Sequence, residues 1–308
     1  MKLFDLHCDT AYRCYTEKTP MAKNEFHISL ERGLRYDPWV QCFAVWMPDE
    51  KRGQEAVALF KAVADFFQSE IRGFGDQISQ YRSAEDLESG RGLAILTVEG
   101  GGALGGKLET LDLMRDYGVK MLTLTWNGRC ELGSGALDAE DIGLSDFGRE
   151  AVRRMEVLSM IPDLSHASER LFWDVCHETE RPFAVSHSNL KALCDHPRNL
   201  TDEQFQEVAR RGGLVGLSFC IHFLDEKRHG EKDIFFRHLD RMLSLGGEKT
   251  VALGGDFDGT DVPAYLEGIQ SMAALREEML RRGYSEEQTD ALFFDNARRF
   301  FGDFDKPV

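Results

Sequence analysis

Short apolar runs alternate with longer amphipathic segments along the whole chain, and this alternation restricts the folds open to it. Eight of the runs are rich in β-branched or aromatic residues and have the length of buried strands. They are residues 3–6, 41–46, 93–98, 119–125, 161–164, 183–185, 214–219 and 251–253. No linker, charge block or internal repeat divides the chain, so we expect all eight strands to belong to one sheet.

Helical periodicity appears between most of these runs. The predicted helices are residues 54–71, 110–117, 145–159, 168–179, 201–211 and 234–245, followed after the last strand by 266–282 and 285–294. The stretch 10–39 is irregular, and we expect it to cross one face of the sheet. Eight strands alternating with helices in 308 residues predict an α/β fold, a (β/α)8 TIM barrel forming a single domain over 1–308. An open doubly wound sheet also fits the pattern.

Histidines and carboxylates recur where the predicted strands end. His7 and Asp9 follow the first strand, Glu99 the third, His166 the fifth, His187 the sixth and Asp256 the eighth. In a barrel the carboxyl ends of the strands meet at one mouth, so these side chains would lie close together. Three imidazoles and three carboxylates suit two divalent metal ions, which hold and acidify a shared water when they lie about 3.5–4 Å apart.

Each of these residues also has an ordinary structural interpretation. His166 could bond the start of a helix capped by Ser168, His187 could be a core histidine, and Glu99 could be a solvated loop charge. Together, such interpretations require a coincidence of position at five strand ends, which favours one shared site. The other histidines lack this placement and are interpreted as surface or packing residues: His27, His177, His196, His222, His229 and His238.

Charge and cysteine content exclude several classes of protein. A net charge of −16 would repel nucleic acid and anionic membrane surfaces, and it is compatible with a cluster of metal-binding carboxylates. The seven cysteines contain no C-x-x-C pair, which argues against a disulfide framework and a thiolate zinc site. Without a long apolar stretch or the residue order of a secretory signal, the chain is expected to be a cytoplasmic enzyme.

Seven short motifs occur in one order along nearly the whole chain. They are residues 5–10 (DLHCDT), 97–101 (TVEGG), 122–125 (LTLT), 163–166 (DLSH), 186–189 (SHSN), 198–200 (RNL) and 254–259 (GGDFDG). In this order they resemble the membrane (renal) dipeptidase family, the M19 metallopeptidases, and specifically its soluble bacterial branch. The resemblance implies a barrel of the metal-dependent hydrolase type that binds two zinc ions per chain, with other divalent ions as alternatives.

The resemblance also implies how the ligands are divided. His7 and Asp9 would bind the first ion, and Glu99 would bridge both ions. His166 and His187 would bind the second ion. These roles are carried over by motif position alone.

Further roles follow from the same resemblance. Asp256 would be the catalytic proton shuttle, and Arg198 would bind the terminal carboxylate of the substrate with its planar guanidinium. Trp126 stands where better-known members have a histidine that helps to bind the substrate carbonyl, and indole donates one hydrogen bond but cannot ligate a metal. We therefore predict that Trp126 contacts substrate and alters its placement. Cys220 stands where relatives tend to have a tyrosine, and this smaller side chain is expected to widen the substrate site.

The implied function is a zinc-dependent dipeptidase that uses a hydroxide held between the two ions. Its substrates would be dipeptides with a free C-terminal carboxylate, including those with a D-residue at the second position. One alternative is another binuclear amidohydrolase acting on an N-acyl amino acid or a cyclic amide. A catalytically silent metal- or ligand-binding protein is an alternative of another class. Relatives in the family are often homodimers, and a small peptide is the implied partner.

Overall fold

The computed structural model describes residues 1–227 and 231–305, so His229 and residues 306–308 fall outside the described part. The described strands are β1 (Leu3–Asp5), β2 (Trp39–Trp46), β3 (Ile78–Gln80), β4 (Gly92–Glu99), β5 (Val119–Thr123), β6 (Ile161–Asp163), β7 (Ala184–Ser188), β8 (Leu214–Ser218) and β9 (Val251–Gly254). The described helices are α1 (Thr10–Glu17), α2 (Leu30–Gly33), α3 (Gly53–Gly73), α4 (Glu109–Tyr117), α5 (Asp146–Val157), α6 (Glu169–Glu178), α7 (Asp202–Arg210), α8 (Ile221–Leu224), α9 (Lys232–Ser244), α10 (Met272–Arg281), α11 (Glu286–Asp290) and α12 (Asn296–Phe304).

Eight of the strands close into a parallel barrel in the order β1-β2-β4-β5-β6-β7-β8-β9. Closure depends on β1, which pairs with β2 on one side and with β9 on the other. At the β9 side, Asp5 lies opposite Leu253, and the N–H of Leu6 donates to the Leu253 carbonyl at 2.9 Å. The predicted (β/α)8 barrel is therefore confirmed, and the open doubly wound sheet is excluded.

All eight predicted strands are present, and β3 is an additional one. It pairs with β4 from Gly92 to Ala94, and β5 takes over the pairing with β4 from Leu96 onward. The expectation of an irregular stretch over 10–39 is wrong in part, because α1 and α2 lie within it. The last long helical pattern also begins later than predicted, since α10 starts at Met272 and short 3-10 turns precede it.

Side-chain caps explain why several helices begin where they do. Ser145, Ser168, Thr201 and Ser285 each accept a hydrogen bond from a backbone N–H in the first turn of α5, α6, α7 and α11. Such a cap satisfies a helix N–H that would otherwise lack a partner. The predicted starts of these four helices coincide with their caps.

The amino-terminal end of the barrel is filled by aromatic side chains. Phe301 of α12 is fully buried, and its ring centroid lies 5.2 Å from that of Phe4 and 6.1 Å from that of Tyr81. Phe300 and Phe304 of the same helix belong to this buried cluster. Because this end is closed, access to the barrel is from the carboxyl ends of the strands. No helix among residues 1–227 and 231–305 has the length and apolar character needed to span a bilayer.

Candidate active site

The six side chains predicted to share a site do lie together at the carboxyl ends of the strands. His7 and Asp9 follow β1, Glu99 ends β4, His166 lies in the turn after β6, His187 lies within β7, and Asp256 follows β9. Glu99 and His187 are thus strand residues and do not lie just beyond the strands. All six are buried, with Asp9 the most exposed at 8%.

His7 is surrounded by three carboxylates. Its Nε2 atom lies 3.6 Å from Asp9 Oδ2, 3.7 Å from Glu99 Oε2 and 3.9 Å from Asp256 Oδ1. These distances exceed those of hydrogen bonds, and both His7 Nε2 and Asp9 Oδ1 are buried without a hydrogen-bond partner. Donor atoms with this spacing can share one divalent ion at about 2.0–2.2 Å from each ligand.

Two more imidazoles converge on the other oxygen of Glu99. His166 Nε2 lies 2.8 Å and His187 Nε2 lies 3.5 Å from Glu99 Oε1, and the two nitrogens are 3.0 Å apart. Glu99 therefore directs Oε2 towards His7 and Oε1 towards the other two histidines. A carboxylate in this position is able to bridge two ions, and the donor set fits the metals implied by the sequence.

Burial and mutual charge shift the pKa values of these groups strongly. Burial, together with the negative charges of Asp9 and Asp256, raises the pKa of Glu99 well above its ordinary value. Burial also raises the pKa of Asp256, to about 7. Burial alone would lower the pKa of His7, but Glu99, Asp9 and Asp256 raise it to about 10. The site thus concentrates negative charge in a dry environment, which divalent cations would compensate.

The other two imidazoles respond in the opposite direction. Burial lowers the pKa of His166 and of His187 well below the ordinary histidine value, and the positive charge of Arg198 acts in the same direction on both. Both rings are therefore neutral at physiological pH. Neutral imidazole is the form that ligates a metal ion.

Backbone conformation contributes to the placement of these groups. His166 has φ 66° and Asp256 has φ 53°, which is the left-handed region that side chains other than glycine seldom adopt. Gly259 is required for another reason, because a Cβ atom there would lie 2.0 Å from Asp9 Oδ2 and 2.7 Å from Asp256 Oδ1. The chain accepts local strain and close approach at this point, as functional sites commonly do.

A cavity of about 560 Å³ opens above the cluster. Asp9, Glu99, His166 and Asp256 form part of its lining, as do Tyr12, Trp46 and Trp126, three aromatic residues in mutual contact. We call these three residues the aromatic wall. Their rings contact one another edge to face, with centroids 5.1 Å apart for Tyr12 and Trp46 and 5.0 Å apart for Trp46 and Trp126.

Arg198 lies in the segment after β7 and is 4% exposed. Its Nε atom is buried without a partner, and its Nη2 atom makes a long contact of 3.4 Å with the carbonyl of His187. Its guanidinium lies 5.1 Å from the ring of Phe223, which lines the cavity. Most of its donor capacity is therefore unused, which is unusual for a buried arginine.

Cys220 contributes less to the cavity than the sequence suggested. Its side chain is 2% exposed, and its sulfur accepts a hydrogen bond of 3.0 Å from the hydroxyl of Thr260. Thr260, rather than Cys220, is among the described residues that line the cavity. The side chain of Thr260, which contacts Cys220, therefore lines the cavity where the sequence led us to expect extra space.

Three residues of the site were not singled out from the sequence. Trp46 ends β2 and lines the cavity, Asn127 Oδ1 lies 3.0 Å from His166 Nδ1, and Asp163 ends β6 beneath the histidines. All three occupy strand ends or the residues that follow motif positions. The search for functional residues at strand ends was restricted to histidines and carboxylates. Extending it to aromatic and amide side chains would have identified Trp46 and Asn127.

Comparison with known proteins agrees with this architecture. Residues 1–306 match the model of membrane dipeptidase, peptidase family M19. The chain is 33% identical over 228 residues to an uncharacterized protein in the pqqA 5′ region of Klebsiella pneumoniae, covering 70% of this chain and 84% of that protein. It is 27% identical over 269 residues to dipeptidase 3 of Rattus norvegicus, covering 85% of this chain and 55% of that protein. The match thus spans about half the length of the rat protein.

Two solved structures superimpose over nearly the whole chain. One is a metallopeptidase from Rhodobacter sphaeroides bound to a phosphinate mimic of the dipeptide L-Ala-D-Ala, with a TM-score of 0.91, 26% identity, and coverage of 98% of each chain. The other is dipeptidase AC, a metallopeptidase of family M19, with a TM-score of 0.91, 27% identity, and coverage of 98% of this chain and 99% of that one. The chain belongs to the membrane dipeptidase family, the M19 metallopeptidases.

Proposed function

We propose that this protein is a zinc-dependent dipeptidase that hydrolyses dipeptides with a free C-terminal carboxylate, including L-Xaa-D-Xaa dipeptides. The observation that carries the proposal is the presence of two features at one barrel mouth: a ligand set for two ions around Glu99, and the buried guanidinium of Arg198 with unused donors. The dipeptide mimic bound by the Rhodobacter sphaeroides relative supports this substrate class.

The proposed ligand sets follow the two oxygens of Glu99. His7 and Asp9 would hold one Zn²⁺, His166 and His187 would hold the other, and Glu99, whose two oxygens face these two pairs, would contribute to both. When bound, two such ions acidify a water molecule and polarise the scissile carbonyl. Neutral imidazoles and buried carboxylates suit zinc, and other divalent ions are accepted by similar ligands.

Asp256 is proposed to move the proton. Its Oδ1 atom lies 3.9 Å from His7 Nε2, beside the donor atoms of the first ion, and it lines the cavity floor where a substrate must lie. From this position the carboxylate takes a proton from the attacking water and delivers it to the leaving amine. A group with this role must be ionised before attack, so its replacement by an amide removes catalysis.

The substrate is proposed to lie across the barrel mouth. In the closed strand order, β2 and β7 are four positions apart among eight strands, so Trp46 at the end of β2 and Arg198 after β7 are on opposite sides. With its carboxylate on Arg198, a dipeptide directs its N-terminal residue towards the aromatic wall. Trp126 then packs against that residue as a substrate-binding side chain, which favours apolar N-terminal side chains.

The cellular setting belongs to the same proposal. None of the seven cysteines forms a disulfide, and six of them are buried thiols, which fits a reducing compartment such as the cytoplasm. We propose one catalytic domain that spans the chain, acts on small peptides, and assembles as a homodimer like many of its relatives. Neither nucleic acid nor a membrane surface is a proposed partner, because the net charge of −16 repels both.

A screen of L,L and L,D dipeptides with metal-depleted and zinc-reloaded protein tests the proposal. We expect hydrolysis to depend on added zinc. The zinc content of the reloaded protein should reach about two ions per chain. In the zinc-loaded protein, Asp256→Asn should lower kcat by about 100-fold or more while the metal content is retained. Turnover of cyclic amides or N-acyl amino acids without dipeptides would favour the other amidohydrolase reaction. Zinc binding without turnover of any of these substrates would contradict an enzymatic role.

A further inference from the structure

Asp163 is a fully buried carboxylate directly beneath the proposed metal ligands. It is 0% exposed, and none of the ion pairs among the described residues includes it. A buried charge without a cation is costly unless several hydrogen bonds stabilise it. The protein therefore has to supply hydrogen-bond donors to Asp163. The positions of these donors indicate the role of Asp163.

Four donors converge on Asp163. The hydroxyls of Thr123 and Ser186 each lie 2.6 Å from Oδ2, and the backbone N–H groups of Ser165 and Ser186 lie 3.0 Å and 2.8 Å from Oδ1. The two oxygens of Asp163 accept all four of these hydrogen bonds, which is the pattern that a carboxylate provides. The single hydroxyl hydrogen of Ser186 is thereby committed to Asp163.

The commitment of that hydrogen fixes the proton on His187. The Ser186 hydroxyl oxygen also lies 2.9 Å from His187 Nδ1, and with its own hydrogen on Asp163 it can only accept there. The ring must then carry its proton on Nδ1. Its Nε2 lone pair is left facing Glu99 and His166.

We propose that Asp163 is a positioning residue that acts through Ser186 to hold the proton of His187 on Nδ1 and so keeps Nε2 available as a metal donor. This inference rests on the proposed metal-dependent function. A carboxylate behind a ligating imidazole increases its basicity, and loss of such a partner typically lowers metal affinity by about 10- to 100-fold. Here a serine stands between the carboxylate and the ring.

The other imidazole of the same proposed ion is held differently. His166 Nδ1 lies 3.0 Å from Asn127 Oδ1, which is a neutral amide oxygen. Asn127 fixes the tautomer of His166 but brings no charge. The hydrogen-bond chain from Asp163 through Ser186 therefore ends on the ring of His187, whereas the ring of His166 contacts a neutral amide.

Asp5 offers a matched comparison within the same barrel. It is 1% exposed and accepts hydrogen bonds from the backbone N–H groups of His7 at 3.0 Å and Gly255 at 2.9 Å. Like Asp163, it joins its own strand end to the next strand around the barrel. Its remaining hydrogen bond comes from the side chain of Gln41 at 3.1 Å, so none of these three bonds involves an imidazole ring. Replacing Asp5 thus reproduces the loss of a buried bridging carboxylate without breaking a hydrogen-bond chain to an imidazole ring.

The experiment measures zinc affinity of the full chain by competition with a chelator for Asp163→Asn, Ser186→Ala and the double variant. We expect each single variant to weaken one of the two zinc equivalents by about 10- to 100-fold and the double variant to lose no more than the larger single effect. Non-additivity of this kind identifies two residues that act as one unit, which a purely structural role of each would not produce.

Controls separate the hydrogen-bond chain Asp163–Ser186–His187, which we call the relay, from general destabilisation and from the proposed activity. Asp5→Asn should leave the affinity of the His166–His187 ion close to that of the unmodified protein, and thermal unfolding of metal-free protein should report the structural cost of each change. Additive losses, or an equal loss in Asp5→Asn, would overturn the relay. The zinc affinities of the single and double variants could follow the expected non-additive pattern in a protein that hydrolyses no dipeptide. That result would contradict the proposed function and still support the relay.

Discussion

The Nε2 atoms of His166 and His187 lie 3.0 Å apart, although burial lowers the pKa of both imidazoles well below the ordinary value. Each ring has its Nδ1 atom next to another partner, Asn127 for His166 and Ser186 for His187. Two lone pairs at this distance repel unless a cation lies between them. The second ion of the proposed site would lie between these two nitrogens and remove that repulsion.

Replacing His166 by alanine tests this reading. With one imidazole removed, we expect the zinc content to fall from about two ions to about one per chain and dipeptide hydrolysis to fall by about 100-fold or more. Metal analysis after dialysis, together with steady-state kinetics, measures both. His177, which is exposed on α6, provides the control through His177→Ala. Retention of both ions in His166→Ala would exclude His166 from the ligand set.

Arg198 should discriminate between a substrate carboxylate and an amide. A hydrogen bond to a charged group contributes about 1.5–3 kcal/mol, so we expect kcat/KM to be about 10- to 150-fold higher for a dipeptide than for its C-terminal amide. Arg198→Met should abolish that ratio by lowering the rate for the acid alone. Arg13 also lines the cavity but pairs with Glu17 at 2.9 Å, so Arg13→Met should preserve the ratio. The opposite pattern would assign the carboxylate to Arg13.

Gly259 provides a test that leaves every proposed ligand in place. The added methyl group of Gly259→Ala would lie 2.0 Å from Asp9 Oδ2, so the carboxylate of Asp9 must leave its present position. We expect weaker binding of one zinc ion and a loss of activity of about 10-fold or more. Gly73→Ala is a suitable control, because nothing lies within 4 Å of its added methyl group. Normal zinc binding by Gly259→Ala would show that Asp9 is not needed in its present position.

The fold and the proposed ligands could be predicted because their signals are local. Apolar runs mark β1 and β6 without knowledge of their neighbours, and the polar residue after each run marks the mouth. β3 escaped prediction since three residues, Ile78–Gln80, carry too little periodicity. α1 was missed because its buried face consists only of Thr10, Ala11 and Cys14, which give almost no apolar pattern.

The partners of the ligands could not be predicted for a different reason. Asp163 and Ser186 are 23 residues apart, and their hydrogen bond exists only because β6 and β7 are adjacent in the barrel. The contact of Asn127 with His166 likewise depends on the pairing of β5 with β6, which brings together the segments that follow these two strands. Hydrogen-bond partners of this kind are properties of the closed sheet and have no counterpart in any single segment.

Phe301, at the closed end of the barrel, should contribute strongly to the free energy of unfolding. Removing its fully buried ring leaves a cavity next to Phe4 and Tyr81, and such truncations cost about 3–5 kcal/mol. We expect Phe301→Ala to lower the free energy of unfolding by this amount in denaturant titrations while zinc stoichiometry is unchanged. Val157→Ala, at a side chain that is 73% exposed, should change it by less than about 0.5 kcal/mol. Loss of zinc in folded Phe301→Ala would show that the two ends of the barrel are coupled.

His238 should make stability depend on pH. Its ring is fully buried, its Nδ1 atom accepts from the N–H of Leu190 at 3.2 Å, and its Nε2 atom donates to the carbonyl of Leu224 at 3.1 Å. This arrangement requires a neutral ring, and burial lowers the pKa of His238 to about 4. Because the unfolded chain then binds the extra proton more readily, the contribution is fully present above about pH 6.5 and is lost as pH falls towards 4.

The expected loss over that interval is about 3 kcal/mol, since one pKa unit corresponds to about 1.4 kcal/mol. Denaturant unfolding of metal-free protein between pH 7 and pH 4 measures it without interference from zinc. His238→Gln should be less stable at pH 7 and show a shallower pH dependence, because the amide cannot take up a proton. His177→Gln, at an exposed position, should retain the slope of the unmodified protein. Equal slopes for His238→Gln and the unmodified protein would assign the acid sensitivity to other groups, with the buried carboxylates of the barrel mouth as the next to be examined.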